Sequence, residues 1–410
     1  MRRESTADRP RVVLGVGAGI AAYKACELLR LLTESGHRVR VIPTRDSLRF
    51  VGATTWEALS GQRADTDVWA GADDVEHVAL GQSADLIIVA PATADLLAKA
   101  AHGLASDLLT STLLSARCPV MMAPAMHTEM WQHPATQANV ALLRERGAVV
   151  LEPASGRLTG TDTGPGRLPE PEELFASAVS LIARGADGLR PDLAGRRVLV
   201  SAGGTREEID PVRFLGNWSS GRQGYAIARM AAARGAEVTL VSANVALPDP
   251  AGARVVRVTS ASQLRDAMVA AAPAADAIVM AAAVADYRPE VRQPVKIKKT
   301  GVAEPIKLVE NPDILQELSA HRARPGQVVA GFAAETDDIL ANGRKKLASK
   351  GCDLLVVNQV GSGLAFGTSD NAAVVLAADG TFTDVPLGPK EVLAGVLWDQ
   401  VGTVWRTAQP

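Results

Sequence analysis

The sequence predicts an α/β protein made of two doubly wound, Rossmann-like domains. Short apolar runs alternate with segments of helical spacing from residue 11 onward. The alternation restarts near residue 197, after a stretch at 184–195 broken by Gly, Pro and Asp. A length of 410 residues suits two such domains.

In the first half, residues 11–16 read as a buried strand and 20–35 as a helix closed by Gly36. Residues 37–43 are the next strand, and 86–90 and 120–123 are two more, each ending at a proline. Residues 94–102 and 106–116 have helical spacing. This order implies a parallel sheet with helices on both faces and ligands beyond the carboxyl ends of the strands. Residues 154–172, rich in Gly, Thr and Pro, have no periodicity and read as a plain linker or as a lid. In the second half, 197–201 is a strand, 202–205 a small-residue turn, and 224–234 a helix closed by Gly235. Residues 237–242, 277–282, 328–332 and 353–357 are further strands. The expected domains are 11–185 and 196–410, with a linker at 186–195 and a polar, disordered N-terminus at 1–10.

Composition narrows the function. The chain is 47% hydrophobic but 4% aromatic, so Ala, Val, Leu and Ile must build the core. A net charge of -2 gives no reason to expect nucleic acid or an anionic membrane as partner, and any anion site must be local. Cys26, Cys118 and Cys352 are too scattered for a metal-ligand pattern or a disulfide framework, which fits a reducing cytoplasm. The apolar stretch 12–22 is interrupted by three glycines and continues into an amphipathic helix, unlike a signal-peptide core. No apolar run is long enough to span a bilayer.

Several motifs carry chemistry. Gly15-Val16-Gly17-Ala18-Gly19-Ile20 leads from a strand into a helix, where backbone amides favour a phosphate. Its third glycine comes one residue early for the dinucleotide fingerprint, so a phosphate site and a tight strand–helix turn both remain open. Pro91-Ala92-Thr93-Ala94-Asp95 places small and hydroxylated residues at a strand end, where a flat ring can approach; a Thr helix cap explains the same residues. The lysine cluster at Lys296, Lys298 and Lys299 follows the apolar run 277–284 and Asp286, which puts ammonium groups at a sheet edge, suited to a polyphosphate. Lys345, Lys346 and Lys350 lie on a polar helical face, where a solvated role is the ordinary one.

Taken in order, these motifs resemble known enzymes. Gly19-Ile20-Ala21-Ala22-Tyr23-Lys24, Glu76-His77, Pro91-Ala92-Thr93-Ala94-Asp95, and Pro124-Ala125-Met126 with Met130-Trp131 are similar to the flavin-containing cysteine decarboxylases. Asp210-Pro211-Val212-Arg213-Phe214, Asn217 with Ser219-Ser220-Gly221, Ala283-Val284-Ala285-Asp286, the lysine cluster and Gly331-Phe332-Ala333-Ala334-Glu335-Thr336 resemble phosphopantothenate–cysteine ligase. Nearly the whole chain thus resembles the bacterial bifunctional phosphopantothenoylcysteine decarboxylase/phosphopantothenate–cysteine ligases of coenzyme A synthesis. That resemblance implies a flavodoxin-like first domain.

It also implies two reactions. The second domain would join L-cysteine to 4'-phosphopantothenate through an acyl-cytidylate, using CTP with Mg2+. The first would decarboxylate the product to 4'-phosphopantetheine using FMN. The resemblance assigns Ala18, Gly19, Ile20, Thr44, Ala92, Thr93, Ala94, Asp95, Ala125 and Met126 to FMN or the substrate beside it, and His77 to the base. It assigns Asn217 to the activated carbonyl and Lys296 to the triphosphate. It assigns Asp286, Pro312, Asp313, Ile314, Leu315, Phe332, Lys346 and Lys350 to CTP. It implies a homo-oligomer, with trimeric decarboxylase units linked through ligase dimers.

The sequence departs from the family at three places. His127 stands where the family has an Asn that binds the substrate carboxylate; imidazole can still donate a hydrogen bond to it. Gly160 stands where the family's lid has a proton-donating Cys, leaving Asp162, Thr159 or a water for that role. Arg222 replaces a common Lys and changes the donor geometry. The lid departure leaves an alternative, a monofunctional CTP-dependent ligase whose front domain binds flavin and builds the oligomer.

Overall fold

Strand β1 (Arg11–Val16) is buried at every residue after the first, as a run of Val, Leu and Gly must be when helices cover both faces of a sheet. The structure is a computed structural model that describes residues 9–67, 75–158, 162–185, 191–298, 305–335, 338–359 and 370–407. The chain divides into two units, Met1–Asp192 and Leu193–Pro410.

In the first unit, β1 joins β2 (Arg38–Pro43), β3 (Leu86–Ala92), β4 (Val120–Pro124) and β5 (Val149–Val150) in one parallel sheet. Its order is β2-β1-β3-β4-β5. Strand order reverses between β1 and β3, which opens a crevice at their carboxyl ends. Strand β3 runs through Pro91 to Ala92, past the end expected at residue 90. A register shift between Val89 and Ala92 accommodates the proline, and pairing resumes between Ala92 and Pro124. Leu28, Leu29 and Leu32 of the helix Ala22–Glu34 are fully buried, as their spacing requires.

Residues 154–172, read as linker or lid, include an antiparallel hairpin of β6 (Ala154–Arg157) and β7 (Thr163–Arg167). Gly160, in the family's cysteine position, and Thr159 lie outside the described residues. So does the first half of the expected linker, residues 186–190. Leu193, which the sequence reading placed in that linker, is buried in the second unit and donates its N–H to Arg234 O at 3.1 Å.

The second unit has an eight-stranded sheet in the order β12-β11-β8-β13-β16-β17-β18-β19. Its strands are β8 (Arg197–Gly203), β11 (Glu237–Ala243), β12 (Ala253–Val258), β13 (Ala277–Met280), β16 (Val328–Glu335), β17 (Leu354–Gln359), β18 (Asp370–Ala377) and β19 (Phe382–Pro389). The first six are parallel, in the doubly wound order with its switch point at β8. Strands β18 and β19 are antiparallel, so the sheet is mixed at one edge. Two small ladders stand outside it: β9 (Arg206–Glu208) with β10 (Phe214–Gly216), and β14 (Tyr287–Pro289) with β15 (Leu308–Glu310).

Helices seal this sheet with small residues. Gly224 of the helix Arg222–Ala233 lies so close to β8 that an added Cβ would sit 2.5 Å from the Ala202 Cβ. The helix Lys390–Thr407 covers that helix through Trp398, which is fully buried and donates its indole N–H to Ile227 O at 3.0 Å. Trp398→Ala is expected to destabilise the second unit by about 3–5 kcal/mol. Denaturant unfolding followed by circular dichroism would read this as a lower midpoint.

Candidate functional site

The first crevice is assembled from four strand ends. Gly17 donates its N–H to Pro91 O at 3.0 Å, and a Cβ there would lie 2.4 Å from the same oxygen, so only glycine lets β1 and β3 close on each other. Two residues on, Gly19 faces open space and Ile20 is 75% exposed. Thr44 follows β2 and is tied by its N–H to Val16 O at 2.9 Å, while its Oγ1 is buried without a partner. Thr93 caps the helix Ala94–His102, accepting from Leu96 N at 3.2 Å. Ala125 donates its N–H to Ala92 O at 3.1 Å. Ala18, Gly19, Ile20, Thr44, Ala92, Thr93, Ala94, Asp95 and Ala125 therefore gather at one crevice. A buried hydroxyl without a partner beside bare backbone is a fitting cradle for a phosphorylated ring ligand. The Asp95 carboxylate is engaged by Lys99 at 2.9 Å, and that hydrogen bond raises the Lys99 ammonium above its ordinary value.

The hairpin docks on this crevice's rim. Met126 donates its N–H to Gly166 O at 2.9 Å, and a Cβ on Gly166 would sit 2.2 Å from Met126 O. A Cβ on Gly164 would reach 2.5 Å from Thr128 Oγ1, itself buried and without a partner. The glycines of the hairpin are therefore contact surfaces rather than mere loop formers. His127 lies between Met126 and Thr128, exposed, at the cap of the helix Thr128–Gln132.

His77 stands apart. It lies on the helix Glu76–Ser83, with its carbonyl accepting from Ser115 Oγ at 2.7 Å. Among the described residues, no hydrogen bond or ion pair joins it to Ala92–Asp95 or Ala125–His127. Its Nδ1 is buried without a partner. Of the first unit's thiols, Cys26 is on the helix Ala22–Glu34 and Cys118 precedes β4, and burial raises both, Cys118 to about 11.

Sequence reasoning gave Lys24 no role. It is buried within an apolar helix face, and its ammonium holds Glu170 at 2.8 Å, just after the hairpin. A charge amid Ala22, Ala25 and Leu28 was the available signal.

The second crevice lies beside β8. Gly203 has φ +89°, and a Cβ there would be 2.0 Å from Ala243 O. The turn is stitched on both sides: Gly204 N–H to Ala243 O at 3.1 Å, Ala283 N–H to Gly203 O at 2.8 Å, and Thr205 N–H to Ala283 O at 3.2 Å. Asn217 donates its side-chain amide to Val284 O at 2.9 Å. Asn311 donates to Ala285 O at 2.8 Å and, through its N–H, to Asp286 O at 2.8 Å. This brings Pro312 beside Asp286. Asp313 caps the helix Ile314–Ala320 and pairs with Lys350. Leu315 packs against Gly331, next to Phe332 on β16, and Lys346 pairs with Glu335 at 2.6 Å. The expected nucleotide residues thus converge, with two of their lysines already matched by carboxylates.

Lys296 is exposed and has no ion-pair partner among the described residues. The lysine cluster does not lie on the edge of the main sheet, as the sequence suggested. Residues 291–298 form no strand and are tied to the arm around β9 and β10. Lys299 lies outside the described residues.

Asp210, on that arm, was quoted in a motif but given no role. Burial pushes its carboxyl up, yet the amides of Val212, Ile297 and Arg213 and the Arg213 guanidinium outweigh this, bringing it from 3.8 to about 2. A carboxyl held lower in the folded chain stabilises it above the unfolded value, and this is lost as pH falls through the folded value. Between pH 3.8 and about 2, the wild-type chain should lose stability more steeply than Asp210→Asn, as denaturant midpoints would record.

Among the described residues, no group of three or more His, Cys, Asp or Glu side chains is gathered to hold a metal.

The family profile described as "Flavoprotein" matches residues 1–183, and that described as "DNA/pantothenate metabolism flavoprotein C-terminal domain" matches residues 193–404. With two crevices at strand carboxyl ends, these define a two-domain flavoprotein of pantothenate metabolism. More narrowly, the chain belongs to the family of bifunctional coenzyme A biosynthesis enzymes. It is 59% identical over 405 residues to "Coenzyme A biosynthesis bifunctional protein CoaBC" of Mycobacterium tuberculosis, covering 96% of each chain. It is 41% identical over 383 residues to the protein of the same name from Bacillus subtilis, covering 92% of this chain and 93% of that one. Among solved structures, the C-terminal domain of a coenzyme A biosynthesis bifunctional protein CoaBC is 36% identical, with TM-score 0.45, covering 52% of this chain and 98% of that one.

Proposed function

We propose that the second unit ligates L-cysteine to 4'-phosphopantothenate and that the first decarboxylates the product to 4'-phosphopantetheine. In the ligase, the carboxylate of 4'-phosphopantothenate attacks the α-phosphate of CTP and expels pyrophosphate. The cysteine amine then displaces CMP and forms the amide. Lys296 meets negative charge on the triphosphate, and Asn217 orients the activated carbonyl. Asp286, Pro312, Asp313, Ile314, Leu315, Phe332, Lys346 and Lys350 surround the nucleotide, with Mg2+ arriving as its companion.

In the decarboxylase, Ala18, Gly19, Ile20, Thr44 and Ala92–Asp95 would hold FMN, with Ala125 and Met126 beside the ring or substrate. Bound FMN supplies the electron sink that lets the substrate's carboxylate leave. His77 would take the proton of the substrate's thiol, and His127 would donate a hydrogen bond to the carboxylate from the hairpin's rim. The buried, unpartnered Nδ1 of His77 favours a site completed by a ligand and a second copy, in trimeric units that ligase dimers join. A cytoplasmic location accords with three free cysteines.

The observation that carries this reading is the convergence of nine expected flavin-site residues on one crevice, around the unpartnered Thr44 hydroxyl. The test is twofold. Purified protein should be yellow, and should release pyrophosphate from CTP only with 4'-phosphopantothenate present. A second reading keeps the flavin but not the decarboxylation, because Gly160 occupies the family's cysteine position. Adding the purified ligation product separates the two: carbon dioxide release with 4'-phosphopantetheine formation supports the first, and no carbon dioxide supports the second.

A further inference from the structure

Asp210 has a fully buried side chain and spends both carboxylate oxygens on hydrogen bonds. Oδ1 accepts the N–H groups of Val212 at 2.8 Å and Arg213 at 2.9 Å. Oδ2 accepts Arg213 Nε at 3.0 Å and the Ile297 N–H at 3.1 Å. The same guanidinium passes on to Ile297 O at 2.6 Å through Nη2. Both backbone polar groups of Ile297 are therefore gripped from residues more than eighty positions earlier. Its chain neighbours are Lys296 and Lys298. Two further ties follow the same path: Gln293 N–H to Ile209 O at 2.9 Å, and Arg292 to Glu208 at 2.5 Å. The arm that makes these bonds continues through β10 into Asn217.

We propose that Asp210 is a positioning residue for the ligase's nucleotide-activation step: with Arg213 it clamps Ile297, and so fixes the Lys296 backbone relative to Asn217. The proposal rests on the ligase reading above. The physical case is orientation. A lysine ammonium sits on a flexible four-carbon stem, and its charge is useful only where the stem is rooted correctly. Residues 291–298 have no strand or helix to root them, so the buried carboxylate supplies the anchor that secondary structure does not. Misplacing a transition-state group by about 1 Å costs about 100-fold in rate. Asp210 touches no reacting atom in this scheme and acts through Arg213 and Ile297.

The test uses the full chain with Asp210→Asn, alone and combined with Lys296→Gln. Three quantities are read: pyrophosphate release from CTP and 4'-phosphopantothenate without cysteine, the KM for cysteine, and hydrogen exchange in the peptide containing Ile297. Asp210→Asn should slow pyrophosphate release about 100-fold, leave the KM for cysteine unchanged, and remove exchange protection at Ile297. In the Lys296→Gln background its further effect on pyrophosphate release should be within about twofold, because the group it positions is already gone. A full additional loss in that background, or normal pyrophosphate release with Ile297 unprotected, would overturn the proposal. If Asp210→Asn does not fold, Arg213→Gln removes the guanidinium's bonds to Asp210 Oδ2 and Ile297 O but leaves the Ile297 N–H on Asp210, and should give a smaller loss of the same pattern; an unchanged rate there would count against the clamp. Failure of the wild-type chain to release pyrophosphate would instead overturn the ligase reading.

Discussion

Replacing Lys296 with Gln is expected to reduce pyrophosphate release from CTP by about 100- to 1,000-fold while leaving flavin bound and carbon dioxide release intact. The argument begins with charge. Attack of a carboxylate on a triphosphate brings one anion to another, and negative charge grows on the bridging oxygen that leaves. Lys346 and Lys350 each face a carboxylate in the folded chain, whereas Lys296 faces none among the described residues. Glutamine keeps much of the length and can still donate a hydrogen bond, so the loss measures charge rather than packing. Steady-state pyrophosphate release at saturating CTP checks the rate, and the visible flavin spectrum checks the first unit. Loss of flavin together with activity would show global damage and defeat the expectation.

The second large effect is expected at His77. His77→Asn should lower carbon dioxide release by about 100- to 10,000-fold, the range for losing a general acid–base group, while cysteine ligation continues. A buried ring nitrogen without a partner is rare unless a ligand or another copy reaches it. Asparagine retains polarity and one donor but cannot exchange a proton near neutrality. The ligation product, supplied separately, isolates this step from the earlier one. Equal loss of both activities in a folded variant would contradict the assignment of separate sites.

Much of the architecture was readable from residue patterns. The apolar runs at β1, β3 and β4 marked strands because a sheet covered on both faces needs continuous hydrophobic stretches. The crevices followed, since the alternation predicted ligands beyond the strands' carboxyl ends. At those ends Gly17 is hydrogen-bonded to Pro91 and Ala125 to Ala92. Other features were hidden for definable reasons. The hairpin β6–β7 is written in Gly, Pro, Thr and Ser, which have no strand periodicity; its backbone contacts with Met126, rather than its own pattern, account for its place. Strands β18 and β19 break the parallel alternation without a crossover helix between them. The Asp210 clamp joins positions 87 apart, and no local spacing encodes such a bond.

The carboxylates already matched to Lys346 and Lys350 bear on which anions the second unit would select. Ion pairs at a partly exposed surface are each worth only about 0–1 kcal/mol, so a triphosphate touching both cations can displace them together. Orthophosphate or sulfate, reaching one cation at a time, gains little by evicting a resident acid. The cleft should therefore favour a polyanion over the cell's abundant small oxyanions.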